Sequence, residues 1–515
     1  MRVYAWGSLM RKPSFISDYC SISFKKDKRW MRSKMKLLLL IIAMSFNSLA
    51  KAEVKVDFRI SKMHGFYDFL ETISGKPHHT ELILKAFKES TYNNSANEQW
   101  IKEIAAAEES MPGFEFNGFP KSRKSGADVE LLFNVQSIFA KDLADFSSRT
   151  LGMMPIADHS RFFMAAQKLL PIYEKLIWNQ ALPELKKYRE KLLQVSKKAK
   201  LDDLFLKAVK FYGAEWPQDQ TFLIGLYPIP GKKGGTTSQS LGSAESVGVM
   251  ASDRDYEGTF GVVFHELCHS LYGAQSLDLQ YQLEKQFQTL NSKYASHAYS
   301  LLNEGLATAL GNGYAEKMAT GKLNDHQWYN NHYINGFSKA IYPLVEEYLL
   351  NGKTLDLEFV KKSTELLEST LPESLYDYDN LFQWLVVLQD GKITQRNITR
   401  NLFQNLFRVN RWSSHDPING DGALDEASAS DHTLMVIYSH AEMDQLKALS
   451  EKMPLVKEHL KELKSISENY IYSILDTHGR AFVFIQINKT ADLVKAFEAL
   501  KTVKKINLEK HFLVF

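Results

Sequence analysis

The sequence predicts a mainly α-helical protein with a small β element near its middle and an α+β domain at its C-terminus. Apolar residues recur at three- and four-residue spacing across Asp128–Ser147 and Arg161–Leu193, which predicts amphipathic helices. Two short apolar runs, Thr221–Ile229 and Glu245–Ala251, predict strands. Predicted strands and helices then alternate over residues 432–515, which indicates a separate α+β domain.

Length, composition and charge describe an ordinary globular protein. The chain has 515 residues, a length that predicts about three domains. Apolar residues make up 44% and charged residues 24%, which is sufficient for a large core. The net charge is only +3 and no long basic run follows the N-terminal region, so nucleic-acid binding is not expected.

Residues 1–52 have the pattern of an N-terminal extension followed by a secretory signal peptide. A basic stretch precedes the apolar run Leu37–Met44, and an A-x-A cleavage pattern ends at Ala52. We therefore expect a periplasmic or secreted protein. The alternative interpretation is a membrane anchor, but the apolar run is too short to span a bilayer as a permanent anchor. Cleavage would remove Cys20 and leave Cys268 alone, so no internal disulfide is expected.

The chain between the signal peptide and residue 410 divides at about residue 221. Residues 53–220 predict a helical N-terminal domain. After the first predicted strand, Gly231–Ser243 is rich in Gly, Ser, Thr and Lys and predicts a flexible loop. A helical pattern begins at Glu257. Further helices are predicted over Leu301–Leu310, Gln327–Leu350, Leu357–Leu367 and Asn380–Leu388.

The C-terminal region is predicted to consist of a linker and one domain. Residues 411–431 contain many small and acidic residues and predict the linker. From residue 432 onward, the predicted elements follow the order β-α-β-β-α-β of a ferredoxin-like arrangement. Nothing in this region indicates chemistry.

One segment indicates chemistry, the H-E-x-x-H motif from His265 to His269. Residues four apart share one face of a helix, so the two histidines can bind one zinc ion through imidazole nitrogens. Glu266 lies beside that face and can act as a general base. The motif also occurs by chance, but the uncharged flanking residues favour an active-site helix over two ordinary histidines. Cys268 is predicted to be a small buried thiol.

A catalytic zinc needs a third protein ligand and an open fourth position. Leu302–Ala307, with the sequence LNEGLA, resembles the N-E-G-(F/L)-A segment of gluzincin metallopeptidases, notably the aminopeptidases related to leukotriene A4 hydrolase. This resemblance covers about residues 222–350. It implies a gluzincin-like catalytic fold with Glu304 as the third zinc ligand. The interval between the two motifs is longer than in that family, and it contains three alternative ligands, Asp278, Glu284 and His297.

Two weaker similarities concern the substrate. The segment that begins at Tyr333 resembles a Y-x-x-G segment of the same family, which implies that Tyr333 stabilises the oxyanion. His332 and Tyr342 are alternatives for that role, as is a helix aromatic without a catalytic role. Gly242–Ser246 distantly resembles the G-x-M-E-N segment that binds a free peptide N-terminus, which implies that Glu245 binds substrate. Its Met and Asn are absent here, so the choice between aminopeptidase and endopeptidase stays open.

Together these patterns predict an exported peptidase that uses Zn²⁺ to hydrolyse a peptide or protein substrate. The expected domains are residues 1–52, 53–220, 221–410 with the catalytic site, the linker 411–431, and 432–515. Two alternatives remain open. One is a non-catalytic, zinc-stabilised binding protein, and the other is a zinc hydrolase of a non-protein amide such as a cell-wall peptide.

Overall fold

The computed structural model describes residues 55–76, 80–107, 129–217, 219–231, 237–250, 252–392, 394–464 and 468–515. The predicted signal peptide lies outside these ranges. Helices predominate and are joined by two small sheets, as the sequence predicted. All of the described residues belong to one unit, Val54–Phe515. Within them, no helix has both the length and the hydrophobicity needed to cross a membrane.

The N-terminal part begins with strand β1, Val56–Ile60, and continues as amphipathic helices. The helices are α1 Lys62–Ser74, α2 Glu81–Lys88, α3 Ser95–Ala106, α4 Val129–Phe139, α5 Leu143–Thr150, α6 Ile156–Tyr173, α7 Asn179–Ala199 and α8 Leu201–Tyr212. Their apolar faces pack into one core, in which Tyr67 contacts the rings of Phe133 and Phe146. This packing brings the helices against the sheet that follows.

A four-stranded sheet joins the N-terminal part to the centre of the chain. Strands β2, Phe222–Ile229, and β4, Ala244–Met250, confirm the two predicted strands, and β3 is Thr237–Ser240. The order is β1-β2-β4-β3, with β3 antiparallel to β4 and the other pairs parallel. The N-terminal part is therefore not wholly helical, and the predicted loop contains a strand. Sequence patterns missed β1 because its partner is distant, and β3 because its edge position allows a polar sequence.

The central helices follow β4 and carry both motifs. They are α9 Tyr256–Gly273, α10 Leu277–Thr289, α11 Ala295–Thr308, α12 Glu316–Thr320, α13 His332–Asn351 and α14 Leu357–Thr370, with a π-helical segment, Ala309–Ala315, between α11 and α12. Asp255 caps α9, because its side chain accepts the N–H of Gly258 at 2.9 Å. The interval between the two motifs is largely helical.

The C-terminal part is built on a six-stranded sheet that begins earlier than predicted. Its strands are β5 Trp384–Gln389, β6 Arg411–His415, β7 Thr433–Tyr438, β8 Tyr470–Leu475, β9 Ala481–Gln486 and β10 Phe512–Val514. Its helices are α15 Tyr378–Leu381, α16 Arg396–Gln404, α17 Ala423–Ala429, α18 Met443–Lys452, α19 Pro454–Leu463 and α20 Asp492–Val503. The predicted helix over Asn380–Leu388 is wrong from Trp384 onward. Strand β5 lies between two parallel neighbours and is buried on both faces, which explains its uninterrupted apolar sequence.

Two further expectations for this region are corrected. Residues 411–431 form β6 and α17 rather than an unstructured linker. The elements after residue 432 keep the predicted order along the chain, but the sheet order is β10-β8-β9-β7-β5-β6. A ferredoxin-like sheet places its fourth strand beside its first, whereas β10 pairs with β8. The first strand, β7, has no free edge for β10 because β9 and β5 occupy its two sides.

Candidate metal centre

The H-E-x-x-H motif lies in the second half of α9, and the structure brings its two histidines together. The Nε2 atoms of His265 and His269 are 3.0 Å apart, and the rings meet edge to face with centroids 4.7 Å apart. Glu266 belongs to the same group of closely spaced potential ligands. The motif therefore presents two imidazole nitrogens and a carboxylate at one place.

Helix α11 brings Glu304 to the same place. Its Oε2 atom is 3.5 Å from His265 Nε2 and 3.7 Å from His269 Nε2. Ligand atoms that bind zinc tetrahedrally at about 2.0–2.1 Å lie about 3.3–3.4 Å from one another. The triangle formed by the three donor atoms has the size that a zinc ion requires.

The outer nitrogens of the two histidines contact side chains of α11. His269 Nδ1 is 3.0 Å from Asn303 Oδ1, and His265 Nδ1 is 3.4 Å from Thr308 Oγ1. An amide or hydroxyl oxygen that accepts the Nδ1–H of a histidine leaves Nε2 free to bind a metal. From the sequence, only Glu304 in this segment has a predicted role. The one sequence signal for Thr308 was its position four residues after Glu304, which places both on one helix face.

Two glycines allow α9 to approach the π-helical segment closely. A Cβ atom at Gly311 would lie 2.5 Å from the carbonyl oxygen of Gly261 and 2.6 Å from the backbone nitrogen of His265. A larger residue at Gly311 would therefore push the two segments apart. Because α11 runs directly into the π-helical segment, this close contact keeps α9 beside the helix that carries Glu304.

The carboxylate of Glu304 has the electrostatic properties of a metal ligand. Burial alone would raise its pKa, but a hydrogen bond with His265 and the charges of His269, His265 and Arg408 lower the pKa to about 2. Its Oε2 atom is buried, and its distances of 3.5 and 3.7 Å from the two histidine Nε2 atoms are too long for strong hydrogen bonds. A bound cation would neutralise the charge of this buried oxygen.

Glu266 is held beside the donor triangle by strand β3. Ser240 donates its backbone N–H to Glu266 Oε2 at 2.9 Å, and Ser240 Oγ is 2.7 Å from Ser270 Oγ on α9. Burial raises the pKa of Glu266. The charge of His269 lowers this pKa and the charge of Glu304 raises it further, so that the net shift is upward. A carboxyl group with a raised pKa suits proton transfer near neutral pH.

The donor atoms open into a cleft of about 1550 Å³. Helices α9 and α11 form one side of the cleft, and the whole of strand β3 lines it. Aromatic residues from three parts of the chain complete the walls, Trp216 before β2, Tyr299 on α11 and Trp384 on β5. The cleft is therefore shared by the N-terminal, central and C-terminal parts of the chain.

Tyr329, which belongs to no sequence motif, also lines the cleft. Its ring stacks on His265, with centroids 5.9 Å apart and an interplanar angle of 22°. Burial and the charge of Glu304 raise the pKa of its phenol to about 12, against the opposing effect of Arg408. Tyr329 precedes α13 in a loop and belongs to no motif, so no sequence signal pointed to it.

Tyr333, the predicted oxyanion residue, does not line the cleft. Helix α13 begins at His332, because Asn331 accepts the N–H groups of Tyr333 and Ile334 at 3.0 Å. Tyr333 therefore falls in the first helical turn, where it points into the core and is 2% exposed. Burial and the carboxylate of Asp377 raise its pKa. The implied role of Tyr333 is not supported by this position.

The two alternatives for that role also lie elsewhere. His332 is exposed at the surface and pairs with Glu373 at 3.3 Å. Tyr342 donates its hydroxyl to Glu346 at 3.0 Å. Neither residue lines the cleft, whereas Tyr329 does.

Glu245 is buried in β4 and does not reach the cleft either. Its carboxylate accepts a hydrogen bond from Ser238 Oγ at 2.7 Å. Burial and the charge of Glu266 raise its pKa well above the ordinary range. Strand β3 covers this edge of β4, so Glu245 cannot contact a substrate in the cleft.

The three alternative metal ligands do not line the cleft. Asp278 is exposed in the first turn of α10. Glu284 accepts a hydrogen bond from Gln288 at 3.1 Å, and His297 Nε2 lies 3.0 Å from the carbonyl oxygen of Gly479. Cys268 is a buried free thiol, as predicted.

Comparisons with known proteins give no match to this chain, whether with family models, curated proteins or solved structures.

Proposed function

We propose that the protein is an exported zinc-dependent peptidase in which His265, His269 and Glu304 hold the metal. The donor triangle, with Glu266 beside it, is the observation that carries the proposal. All four side chains line the cleft, so a metal in the triangle would be accessible to a substrate. A purely structural zinc site is closed by a fourth protein ligand. The open arrangement favours a peptidase over a non-catalytic binding protein.

In this proposal each residue has a separate task. A bound zinc ion would polarise the scissile carbonyl and lower the pKa of a water molecule. Glu266 accepts a proton from the attacking water and returns it to the leaving nitrogen. Asn303 and Thr308 orient the imidazole rings. Tyr329, in place of Tyr333, donates a hydrogen bond to the oxygen on which negative charge develops.

The edge of β3 supports a peptide as the substrate. Leu241 N–H binds the carbonyl oxygen of Ala244 at 2.9 Å, so the next pair, Ser240 and Glu245, is not hydrogen-bonded across the ladder. The backbone of Ser240 therefore points away from β4, where its N–H binds Glu266 and its carbonyl oxygen faces the cleft. An extended peptide can pair with outward-facing main-chain groups of such an edge strand, as in other complexes that add a strand to a sheet.

The test is the variant Glu266→Gln in the chain from residue 53 onward, assayed against a peptide library. We expect one bound zinc ion per chain and a loss of turnover of about 100-fold or more, because the amide cannot accept the proton. Glu257→Gln, in the first turn of the same helix, is the matched control and should retain activity. Undiminished turnover in Glu266→Gln at unchanged zinc content would contradict the mechanism.

A further inference from the structure

Arg408 lies in the loop between α16 and β6, lines the cleft and contacts Tyr329. Its Nη2 donates to the phenol oxygen of Tyr329, and its Nη1 donates to Asn330 Oδ1 at 3.4 Å. The guanidinium carbon is 5.0 Å from the centroid of the Tyr329 ring. A residue of the C-terminal part thus binds the loop that stacks on a proposed zinc ligand.

The chemistry of this contact fixes the direction of the phenol proton. An arginine side chain has only donors, whereas a tyrosine hydroxyl has one donor and accepting lone pairs. With Arg408 on the oxygen, the O–H of Tyr329 must point elsewhere. Glu304, a member of the donor triangle, is the acceptor that this phenol faces on its other side. The guanidinium therefore directs the O–H of Tyr329 toward the donor triangle.

Arg408 is itself held by the six-stranded sheet. Its Nε donates to Asn410 Oδ1 at 3.4 Å, and Asn410 Nδ2 donates to Gln383 Oε1 at 3.0 Å. The backbone N–H of Asn410 also binds the carbonyl oxygen of Gln383 at 2.8 Å. Because Gln383 directly precedes β5, these hydrogen bonds connect the sheet to Tyr329.

We propose that Arg408 is a positioning residue that orients the phenol of Tyr329, so that the C-terminal sheet completes the active site. The kinetic part of this proposal rests on the proposed peptidase function. The geometric part concerns only Arg408 and Tyr329 and can be measured without turnover. In this proposal Arg408 acts on the reaction through Tyr329.

A double-mutant cycle in the full, zinc-loaded chain tests the kinetic part. Tyr329→Phe should lower kcat by about 100-fold, the usual effect of removing one oxyanion donor. Arg408→Met keeps the apolar stem, and it should lower kcat about tenfold in the wild-type background but less than about twofold in the Tyr329→Phe background. Arg400→Met, on the surface of α16, is the matched control. Equal losses in both backgrounds, or a change in KM alone, would overturn the proposal.

A second measurement reports on the geometry without activity. With 3-fluorotyrosine at position 329, the ¹⁹F resonance should shift and broaden in Arg408→Met and stay unchanged in Arg400→Met. An unchanged resonance in Arg408→Met would refute the positioning role even if peptides are cleaved. If the wild-type chain cleaves no peptide but the resonance responds as expected, the peptidase function fails and the positioning role stands. Arg408→Lys, expected to give intermediate values, serves if Arg408→Met does not fold.

Discussion

The helices that carry the metal centre and the six-stranded sheet beside them are organised in opposite ways. In the helices, the residues of each motif are close in sequence: His265 and His269 share one face of α9, and Asn303 and Thr308 flank Glu304 on α11. In the sheet, β5 pairs with β7 across a segment that contains two helices and another strand. Each half of the donor set is thus encoded locally, whereas the contact between α9 and α11 and the cleft around it depend on long-range packing.

The largest effect should come from Glu304→Ala, which tests whether the local motifs really form one site. Loss of a direct ligand should lower zinc affinity by more than about 100-fold, beyond the usual effect of an outer contact. Zinc content after dialysis at a buffered free zinc concentration is the measurement. Glu284→Ala, which removes an alternative ligand, should still bind one zinc ion per chain. Full zinc binding by Glu304→Ala would show that α11 supplies no ligand to the metal centre.

A smaller effect is expected where the helices depend on close packing. In Gly311→Ala the added Cβ would meet the backbone at Gly261 and His265, at 2.5 and 2.6 Å. The segments must separate, so the free energy of unfolding should fall by about 1–3 kcal/mol, as for other overpacked cores. Chemical denaturation measures this change. A Cβ at Gly273, also on α9, meets no atom within 4 Å, and Gly273→Ala should therefore not destabilise the protein. Equal stability of the two variants would contradict the close contact.

The smallest effect should come from Tyr333→Phe, which compares the tyrosine chosen by sequence similarity with the one found at the site. Its hydroxyl lies outside the cleft, so kcat should change by less than about twofold. Steady-state kinetics on the same peptide as for Tyr329→Phe provides the comparison. A decrease in kcat for Tyr333→Phe as large as that for Tyr329→Phe would favour Tyr333 as the residue that stabilises the oxyanion. It would also require a different position for α13.

The errors in sequence interpretation follow from the same contrast. The apolar run at Trp384–Gln389 is too short for its periodicity to distinguish a buried strand from a helix. Whether this run forms a strand or a helix depends on its pairing with the two neighbouring strands, β6 and β7. The role of Tyr333 is implied by the resemblance of its segment to Y-x-x-G. The Asn331 cap, however, determines where α13 begins and thereby turns Tyr333 into the core.

The sequence by itself determined the mainly helical class, the two central strands, and the residues of the donor triangle with Glu266. The helices, the strands and the H-E-x-x-H residues depend on helical spacing and on short apolar runs, which act over a few residues, whereas Glu304 is implied by the resemblance of its segment to N-E-G-(F/L)-A. Only the tertiary structure decided that β5 and β6 join the C-terminal sheet, that Tyr329 stacks on His265, and that Arg408 reaches Tyr329. Those contacts join residues far apart in the chain, and their formation depends on packing that no local pattern encodes.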